Sequence, residues 1–208
     1  MDKKIILLGY SGHAYAVIDA AHSSNITIAG YCDKQLNKKN PFELEYLGTE
    51  DEERIEAMSS VCFVFPSVGD NHLRAKLLAE IEQKKWSQIN VIHHTSMISR
   101  YAKLDSSVFI SNGAIINALA TIGKGSIINT GAIIEHECLI QEYCHVAPGA
   151  VLAGDVVVGS KTFIGANATV KQGVKIGANV IIGAGAVVIE DIPDGTTYVG
   201  NPARNIKR

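Results

Sequence analysis

The sequence predicts a small α/β domain followed by a parallel β-solenoid, and three observations support this fold class. In the second half, every sixth residue from Ile92 to Val188 is aliphatic, without a slip in register. In the first half, short apolar runs alternate with segments that suit helices, and the first run ends in a glycine-containing turn. The chain has 208 residues, which is enough for one large domain or two small ones.

The N-terminal elements follow from the positions of the apolar runs. Residues 4–8, KIILL, are typical of a buried parallel strand, and the turn at residues 9–13 leads into a helix over residues 14–22. A second strand over residues 26–31 completes a Rossmann-like βαβ unit. Further along, the pattern predicts a polar loop, a third strand, a helix and a last strand over residues 34–40, 61–65, 73–85 and 88–92.

A period of six defines the second half, and it fits neither a helix nor a plain hairpin meander. Each hexad reads as one short strand plus a bend, in which the aliphatic residue fills the interior and a small residue four positions later permits a tight corner. Glycine or asparagine is expected to take the unusual backbone angles. Three hexads close one triangular coil, so residues 18 apart should form ladders. The predicted domains are therefore residues 1–90 and 91–208.

Composition excludes several classes of function. The net charge is -2, with 47% hydrophobic and 19% charged residues, as in a globular protein, and no basic run indicates a nucleic-acid partner. No apolar stretch is long enough to span a membrane, and the run IILL is too short for a signal peptide. The four cysteines form no zinc pattern, so we expect reduced thiols in a cytoplasmic protein: Cys32, Cys62, Cys138 and Cys144.

Two loops of the predicted α/β domain have features of a nucleotide site. A glycine turn before a helix suits a phosphate, although residues 9–12 do not complete the G-x-G-x-x-G pattern. Asp33 ends the second strand, where it could bind a ribose or cap a turn. Residues 69–71, Gly-Asp-Asn, could contact a ligand or start a helix with Asp70 or Asn71 as its cap. Because both loops follow neighbouring strands, we expect a nucleotide-type ligand between them.

The stretch IIEHECLIQEYCH, residues 133–145, contains polar residues that the repeat does not explain. Its isoleucines are interior positions and its cysteines are small-column positions, which leaves Glu135, His136, Glu137 and His145 without a packing role. A histidine suits general base catalysis near neutral pH, and a carboxylate beside it can fix its tautomer. Consecutive strand residues point to opposite faces, so Glu137 can reach His136 only if the chain bends there.

The repeat resembles the hexapeptide-repeat acyltransferases, which fold as a left-handed parallel β-helix. The resemblance supplies the handedness, which a period of six does not set. It also implies an acyl donor such as acetyl-CoA and a homotrimer in which the donor lies between neighbouring subunits.

The opening G-x-S-G-H, the G-D-N loop, the E-H-E run with a histidine nine residues later and the ending YVGNPARNIKR together resemble one subfamily. It comprises sialic acid O-acetyltransferase-type enzymes and nucleotide-linked 4-amino-sugar N-acetyltransferases of bacillosamine and perosamine pathways. The resemblance implies acetyl-CoA-dependent N-acetylation of a nucleotide-linked 4-amino-4,6-dideoxy sugar, with UDP as the expected nucleotide and O-acetylation of sialic acid as the alternative. Cys32 departs from UDP-sugar members that have a second aspartate there, so the nucleobase stays open.

The resemblance also assigns site residues. His136 corresponds to the catalytic base, Glu137 to its acidic partner, His145 to a second histidine near the acetyl group, and Gly154 to a backbone N–H donor for the thioester carbonyl. The residues expected to contact acetyl-CoA are His145, Gly154, Ala166, Ala184 and Pro202. The residues expected to bind the sugar nucleotide are Ser11, Gly12, His13, Asp33, Lys34, Gly69, Asp70 and Asn71.

Two other classes compete with this interpretation. Zinc carbonic anhydrases built on a β-helix have an H-x4-H pair, whereas His136 and His145 are nine residues apart, so we expect no metal. A non-catalytic scaffold is possible for any β-helix, but it leaves this histidine cluster without a purpose. His93 and His94 lie at the domain junction, where we expect a structural role.

Overall fold

The N-terminal part of the chain forms a three-stranded parallel sheet with helices packed on it. The computed structural model describes residues 3–49 and 53–206. The elements are β1 (Lys4–Leu8), α1 (Gly12–Ser23), β2 (Thr27–Cys32), α2 (Glu53–Ser59), β3 (Phe63–Pro66) and α3 (Asn71–Gln83). The strand order is β2-β1-β3. None of the helices in the described ranges is long and apolar enough to cross a membrane.

Most predicted elements of this part are present, with ends that differ from the prediction by one or two residues. The helix α2 was not predicted. It is short, and it buries Ile55 while Met58 stays partly exposed, so its sequence shows no clear helical period.

The last strand, predicted over residues 88–92, is shorter than expected. Only Val91–Ile92 is a strand, and it pairs with Phe109–Ile110 of the solenoid. The reason lies in Asn90, whose side-chain Oδ1 accepts a hydrogen bond from the Val108 N–H at 2.9 Å. A side chain thus occupies the place of a ladder bond.

The rest of the chain winds into a parallel β-solenoid of about six turns that matches a left-handed β-helix. Its strands are β4 (Val91–Ile92), β5 (Met97–Ile98), β6 (Lys103–Leu104), β7 (Phe109–Ile110), β8 (Ile115–Ile116), β9 (Thr121–Ile122), β10 (Ile127–Ile128), β11 (Ile133–Ile134), β12 (Leu139–Ile140), β13 (His145–Val146), β14 (Val151–Leu152), β15 (Val157–Val158), β16 (Phe163–Ile164), β17 (Thr169–Val170), β18 (Lys175–Ile176), β19 (Ile181–Ile182), β20 (Val187–Val188), β21 (Thr197–Val199) and β22 (Arg204–Asn205).

These strands form three sheets, one on each face of the triangular coil. The eight-stranded sheet has the order β22-β21-β19-β16-β13-β10-β7-β4, the six-stranded sheet β20-β17-β14-β11-β8-β5, and the five-stranded sheet β18-β15-β12-β9-β6. Residues 18 apart pair in parallel, as Ile110, Ile128 and Val146 do. The ladder prediction is therefore confirmed.

The interior of the coil contains both residue columns, not the aliphatic column alone. Small residues such as Ala132 and Ala150 are fully buried in the same core as Ile134. The left-handed backbone angles fall one position before the small column, as at Glu137 with φ +62. Glycine after the aliphatic residue has another cause: a Cβ on Gly165 would lie 2.6 Å from a carbonyl oxygen of the next coil.

The N-terminal domain packs on the outer side of the eight-stranded sheet. In each strand pair the second residue points inward, so the first points outward. The outward residues Val91, Phe109 and Ile127 are buried in one cluster with apolar side chains of α1. Tyr143 joins a second cluster with residues of α3. We retain the division at residue 90 as a proposal.

Candidate active site

His136 and Glu137 form a side-chain pair at a corner of the coil. They follow β11, and the left-handed backbone at Glu137 turns the chain there. His136 Nδ1 lies 3.1 Å from Glu137 Oε2. The two side chains are 51% and 58% exposed. The bend that their contact requires is therefore present, and the pair is open to a ligand.

Gly154 lies one coil further along, directly beside the ring of His136. A Cβ added to Gly154 would lie 2.6 Å from Nε2 of His136, so a side chain there would displace the imidazole. Among the described residues, none accepts a hydrogen bond from the Gly154 N–H. The ring and a backbone donor thus share one corner.

The cysteines of the same stretch take no part in this pair. Cys138 is buried and its thiol donates to the carbonyl of Ala153 at 3.2 Å. Burial raises the pKa of the Cys138 thiol, and it raises the pKa of Cys144 to about 12. Both remain protonated packing residues, which makes them unsuitable nucleophiles.

His145 occupies a different face. It begins β13 in the eight-stranded sheet, where its ring packs edge-on against Phe163 with centroids 5.1 Å apart. Its Nδ1 lies 3.4 Å from the carbonyl oxygen of Gly69, and its Nε2 lies 3.1 Å from Nδ2 of Asn129. Burial, reinforced by the charge of Arg74, lowers the pKa of His145 to about 4. The ring is therefore neutral at pH 7.

Asn129 is a residue that sequence reasoning missed. Its position directly after the interior Ile128 is the one that glycine or another small residue often occupies in this repeat. A polar amide in that column was the available signal. Arg74 was missed as well, because nothing in a helical segment marks an arginine as buried.

His136 and His145 lie on opposite sides of one coil. A coil has 18 residues, so nine residues correspond to half a turn. Within the described part of the chain, neither histidine contacts the other. One chain therefore does not bring the two predicted active-site histidines together.

The residues predicted for the sugar nucleotide divide between two clefts. Ser11, Asp33 and Lys34 line a cleft of about 310 Å³ at the carboxyl ends of β1 and β2. The Asp33 carboxylate accepts hydrogen bonds from the N–H groups of Tyr10 at 3.1 Å and Lys34 at 2.7 Å. It thus caps its turn and also faces the cleft. Gly12 begins α1, with open space where a side chain would lie.

The second cleft has a volume of about 470 Å³ and lies between α3 and the eight-stranded sheet. Its lining residues are Gly69, Asp70, Asn71, His72, Lys161, Phe163, Asn179, Val180 and Ile181. Asp70 is the N-cap of α3, because its Oδ1 accepts from the Leu73 N–H at 2.7 Å. The buried Asn71 amide donates to the Lys161 carbonyl at 3.0 Å. Both side chains thus have structural contacts in addition to their predicted role.

His13 lies close to Gly69, between the two clefts. A Cβ on Gly69 would lie 3.7 Å from Cβ of His13, and the His13 ring centroid is 6.3 Å from that of His145. The Nε2 atom of His13 is buried and has no partner among the described residues. Burial lowers the pKa of His13 to about 3, so this ring is also neutral.

The remaining residues predicted for acetyl-CoA form one column. Ala166, Ala184 and Pro202 are 18 residues apart and occupy the same corner in successive coils. This corner follows the eight-stranded sheet, whereas the corner of His136 and Gly154 follows the six-stranded sheet. The two groups therefore flank the six-stranded sheet on opposite edges. No three His, Cys, Asp or Glu residues in the described ranges form a group that could hold a metal ion.

Comparisons with known proteins agree with this architecture. The PglD N-terminal domain family matches residues 4–81, and the bacterial transferase hexapeptide family (six repeats) matches residues 155–190. No curated protein matches the chain.

Among solved structures, a histidine-to-asparagine mutant of perosamine N-acetyltransferase from Caulobacter crescentus, in complex with CoA and GDP-perosamine, is 33% identical. The match covers 99% of this chain and 97% of that one, with a TM-score of 0.93. The acetyltransferase domain of PglB from Neisseria gonorrhoeae FA1090, in complex with acetyl coenzyme A, is 27% identical over 99% and 100% of the two chains, with a TM-score of 0.92. WeeI from Acinetobacter baumannii AYE, 23% identical over 98% and 100% with a TM-score of 0.83, shares the fold.

Proposed function

The chain belongs to the hexapeptide-repeat sugar acetyltransferases, and from this premise we propose that it acetylates the 4-amino group of a nucleotide-linked 4-amino-4,6-dideoxy sugar. It is an acetyl-CoA-dependent sugar N-acetyltransferase. The structural relatives support the substrate class, because one binds CoA and GDP-perosamine and another binds acetyl coenzyme A. The observation that carries the proposal is the contact between His136 and Glu137 beside Gly154.

In the proposed mechanism, His136 acts as the general base. Its Nδ1–H donates to the Glu137 carboxylate, which leaves Nε2 as the proton acceptor. The neutral sugar amine attacks the thioester carbon, and its proton passes to Nε2 as the C–N bond forms. The C–S bond then breaks, and the imidazolium returns the proton to the CoA thiolate. No covalent enzyme intermediate is needed.

The oxyanion of the tetrahedral intermediate requires a hydrogen-bond donor. We assign this role to the Gly154 N–H, which has no acceptor among the described residues and lies at the same corner as His136. A single backbone donor of this kind lowers a barrier by roughly 3–4 kcal/mol in comparable sites. Acetyl-CoA would then extend along the column of Ala166, Ala184 and Pro202 of a neighbouring subunit.

A homotrimer with active sites between subunits follows from two features. His136 and His145 lie half a coil apart, so a second chain is needed to bring them into one site. The outward residues of the six-stranded sheet form an aliphatic row that suits a subunit interface: Met97, Ile115, Ile133, Val151 and Val187. The four buried thiols are free, which supports a cytoplasmic location.

The nucleotide is assigned to the cleft of Ser11, Asp33 and Lys34. This cleft lies beyond the carboxyl ends of parallel strands, where ligands of such sheets bind. We propose UDP as the nucleotide, and the amino-sugar end would extend past Gly69 and His13 towards the β-helix.

Substrate screening tests this function. Purified protein is incubated with acetyl-CoA and UDP-, dTDP- or GDP-linked 4-amino sugars, or with sialic acid, and free CoA is measured. We expect release with a nucleotide-linked amino sugar, highest with UDP. Release with sialic acid alone would instead establish O-acetylation. Absence of release with every nucleotide sugar, in protein that acetyl-CoA stabilises against heating, would refute the substrate assignment.

A further inference from the structure

Arg74 on α3 is a buried cation without a carboxylate partner among the described residues. Its exposed fraction is 1%. A buried charge is costly unless hydrogen bonds replace its hydration, and Arg74 meets this condition in full. Its guanidinium donates to five backbone carbonyls and to the Asn71 side chain. Burial lowers the pKa of Arg74 to about 10, so it remains charged at neutral pH.

The hydrogen bonds of Arg74 and Asn71 follow one corner of the β-helix. Arg74 donates to the carbonyls of Gly125 at 2.5 Å and Tyr143 at 3.0 Å, and Asn71 donates to that of Lys161 at 3.0 Å. These three acceptors are 18 residues apart, and each has a left-handed backbone. No backbone N–H in the described ranges donates to them. Because α3 covers this corner, the two side chains supply the donors that buried carbonyls require.

Arg74 also shares an acceptor with His145. The Gly69 carbonyl accepts from an Arg74 Nη atom at 3.0 Å and from His145 Nδ1 at 3.4 Å. Since a carbonyl can only accept, Nδ1 of His145 carries the proton, and Nε2 accepts from Asn129. The position of the Gly69 carbonyl therefore sets both the tautomer and the orientation of this ring.

We propose that Arg74 is a positioning residue for acetyl transfer: with Asn71 it fixes the Gly69 loop across three successive coils and thereby orients His145. The inference rests on the proposed function for its kinetic consequence, but its structural consequence can be measured without substrate. Both clefts border this loop, so the same contacts set the distance between the nucleotide cleft and the β-helix.

Electrostatics agree with this geometry. The titratable groups that face His145 in the described chain are Arg74 from α3 and His13 from α1, while Asn129, Phe163 and the Gly69 carbonyl are uncharged. The Arg74 charge lowers the pKa of both histidines in addition to the effect of burial. Removing it should raise the pKa of His145.

The test uses the full-length variants Arg74→Gln, which removes the charge, and Arg74→Lys, which keeps the charge but loses the planar fork. Histidine side-chain ¹⁵N spectra of the ligand-free protein report the tautomer and titration of His145, and His145→Asn assigns its signals. We expect mixed tautomers in both variants, a higher pKa only in Arg74→Gln, and a kcat lowered about 10- to 100-fold in both.

Lys124→Met is the matched control. Lys124 also connects the β-helix to α3, through an ion pair with Glu82 at 3.0 Å, but it does not contact the Gly69 loop. We expect this variant to lower Tm while the His145 spectrum and kcat stay as in the wild type.

Should Arg74→Gln fail to fold, Asn71→Asp provides a milder change. It keeps an acceptor for Arg74 and removes the donor to the Lys161 carbonyl. Mixed His145 tautomers in this variant support the proposal. A wild-type His145 spectrum in every folded variant at these two positions, or equal changes in Lys124→Met, would overturn it. An inactive wild type would refute the proposed function and leave this readout intact.

Discussion

A single backbone angle at Glu137 turns two adjacent side chains into a pair. In an extended strand, His136 and Glu137 would point to opposite faces. With φ +62 at Glu137, the two groups approach to 3.1 Å while remaining half exposed. A carboxylate in this position holds the imidazole in one orientation, which is what a general base needs.

His136→Ala tests the base directly. We expect kcat to fall about 10²- to 10⁴-fold, because proton removal from the amine is lost, while the affinity for acetyl-CoA is kept. Steady-state kinetics and acetyl-CoA titration measure the two effects. His22→Ala, at an exposed position of α1, should behave as the wild type. A wild-type kcat in His136→Ala would remove the base assignment.

His13 and His145 make stability depend on pH. Burial lowers their pKa values to about 3 and 4, from 6.5. Between about pH 6.5 and 4 the unfolded chain binds protons that the folded chain does not, so the free energy of unfolding falls as pH decreases through this window. Above it, these groups contribute no slope. Urea unfolding at several pH values measures the effect.

The control compares two histidine positions in the same experiment. His145→Asn should flatten the slope between pH 6.5 and 4, whereas His22→Asn should leave it unchanged. An equal slope in His145→Asn and the wild type would contradict the assignment of His145 as a buried neutral ring.

At the level of elements, each two-residue strand has one inward and one outward side chain. In β12, Ile140 is fully buried, whereas Leu139 on the same strand is 40% exposed. The interior is a continuous stack in which each side chain contacts the coils above and below. Truncation inside the coil therefore leaves a cavity that neighbouring rungs cannot fill by moving independently.

Ile140→Ala and Leu139→Ala form a matched pair on β12. We expect Ile140→Ala to cost about 2–5 kcal/mol of unfolding free energy and Leu139→Ala clearly less. Chemical denaturation at a fixed protein concentration measures both. Equal losses would mean that the outward face of β12 is as buried as the core, as it would be within a subunit interface.

At the scale of the whole molecule, the half-coil separation of His136 and His145 determines how a site can be assembled. The N-terminal domain covers the eight-stranded sheet and brings His13 near His145, whereas His136 lies at the opposite corner. One chain holds the two halves apart, so the proposed site joins His136 of one subunit to His145 of the next.

Mixed trimers test this arrangement. His136→Ala and His145→Ala chains are each expected to be nearly inactive. If every site takes one histidine from each of two neighbours, unfolding and refolding an equimolar mixture should restore about a quarter of wild-type activity, because that fraction of sites is intact. Mixing without refolding is the control. Absence of recovery in reassembled trimers would place both histidines in one chain's site.

Much of the fold was predictable because its signals are periodic. The six-residue period predicted the ladders, and the run Lys4–Leu8 predicted β1. The short helix α2 and the two-residue limit of β4 were not predictable, since a single turn of helix and a side-chain hydrogen bond from Asn90 leave no periodic pattern.

The sequence by itself determined the coil, its register and the candidacy of His136 and Glu137, because packing in a repeat is local and leaves unexplained polar residues visible. Only the tertiary structure decided that Glu137 meets His136, that Asn129 and Gly69 hold His145, and that Arg74 is buried. Those contacts join residues far apart in the chain, or depend on one backbone angle, and burial there depends on how α3 packs against the coil. No local pattern encodes such a contact.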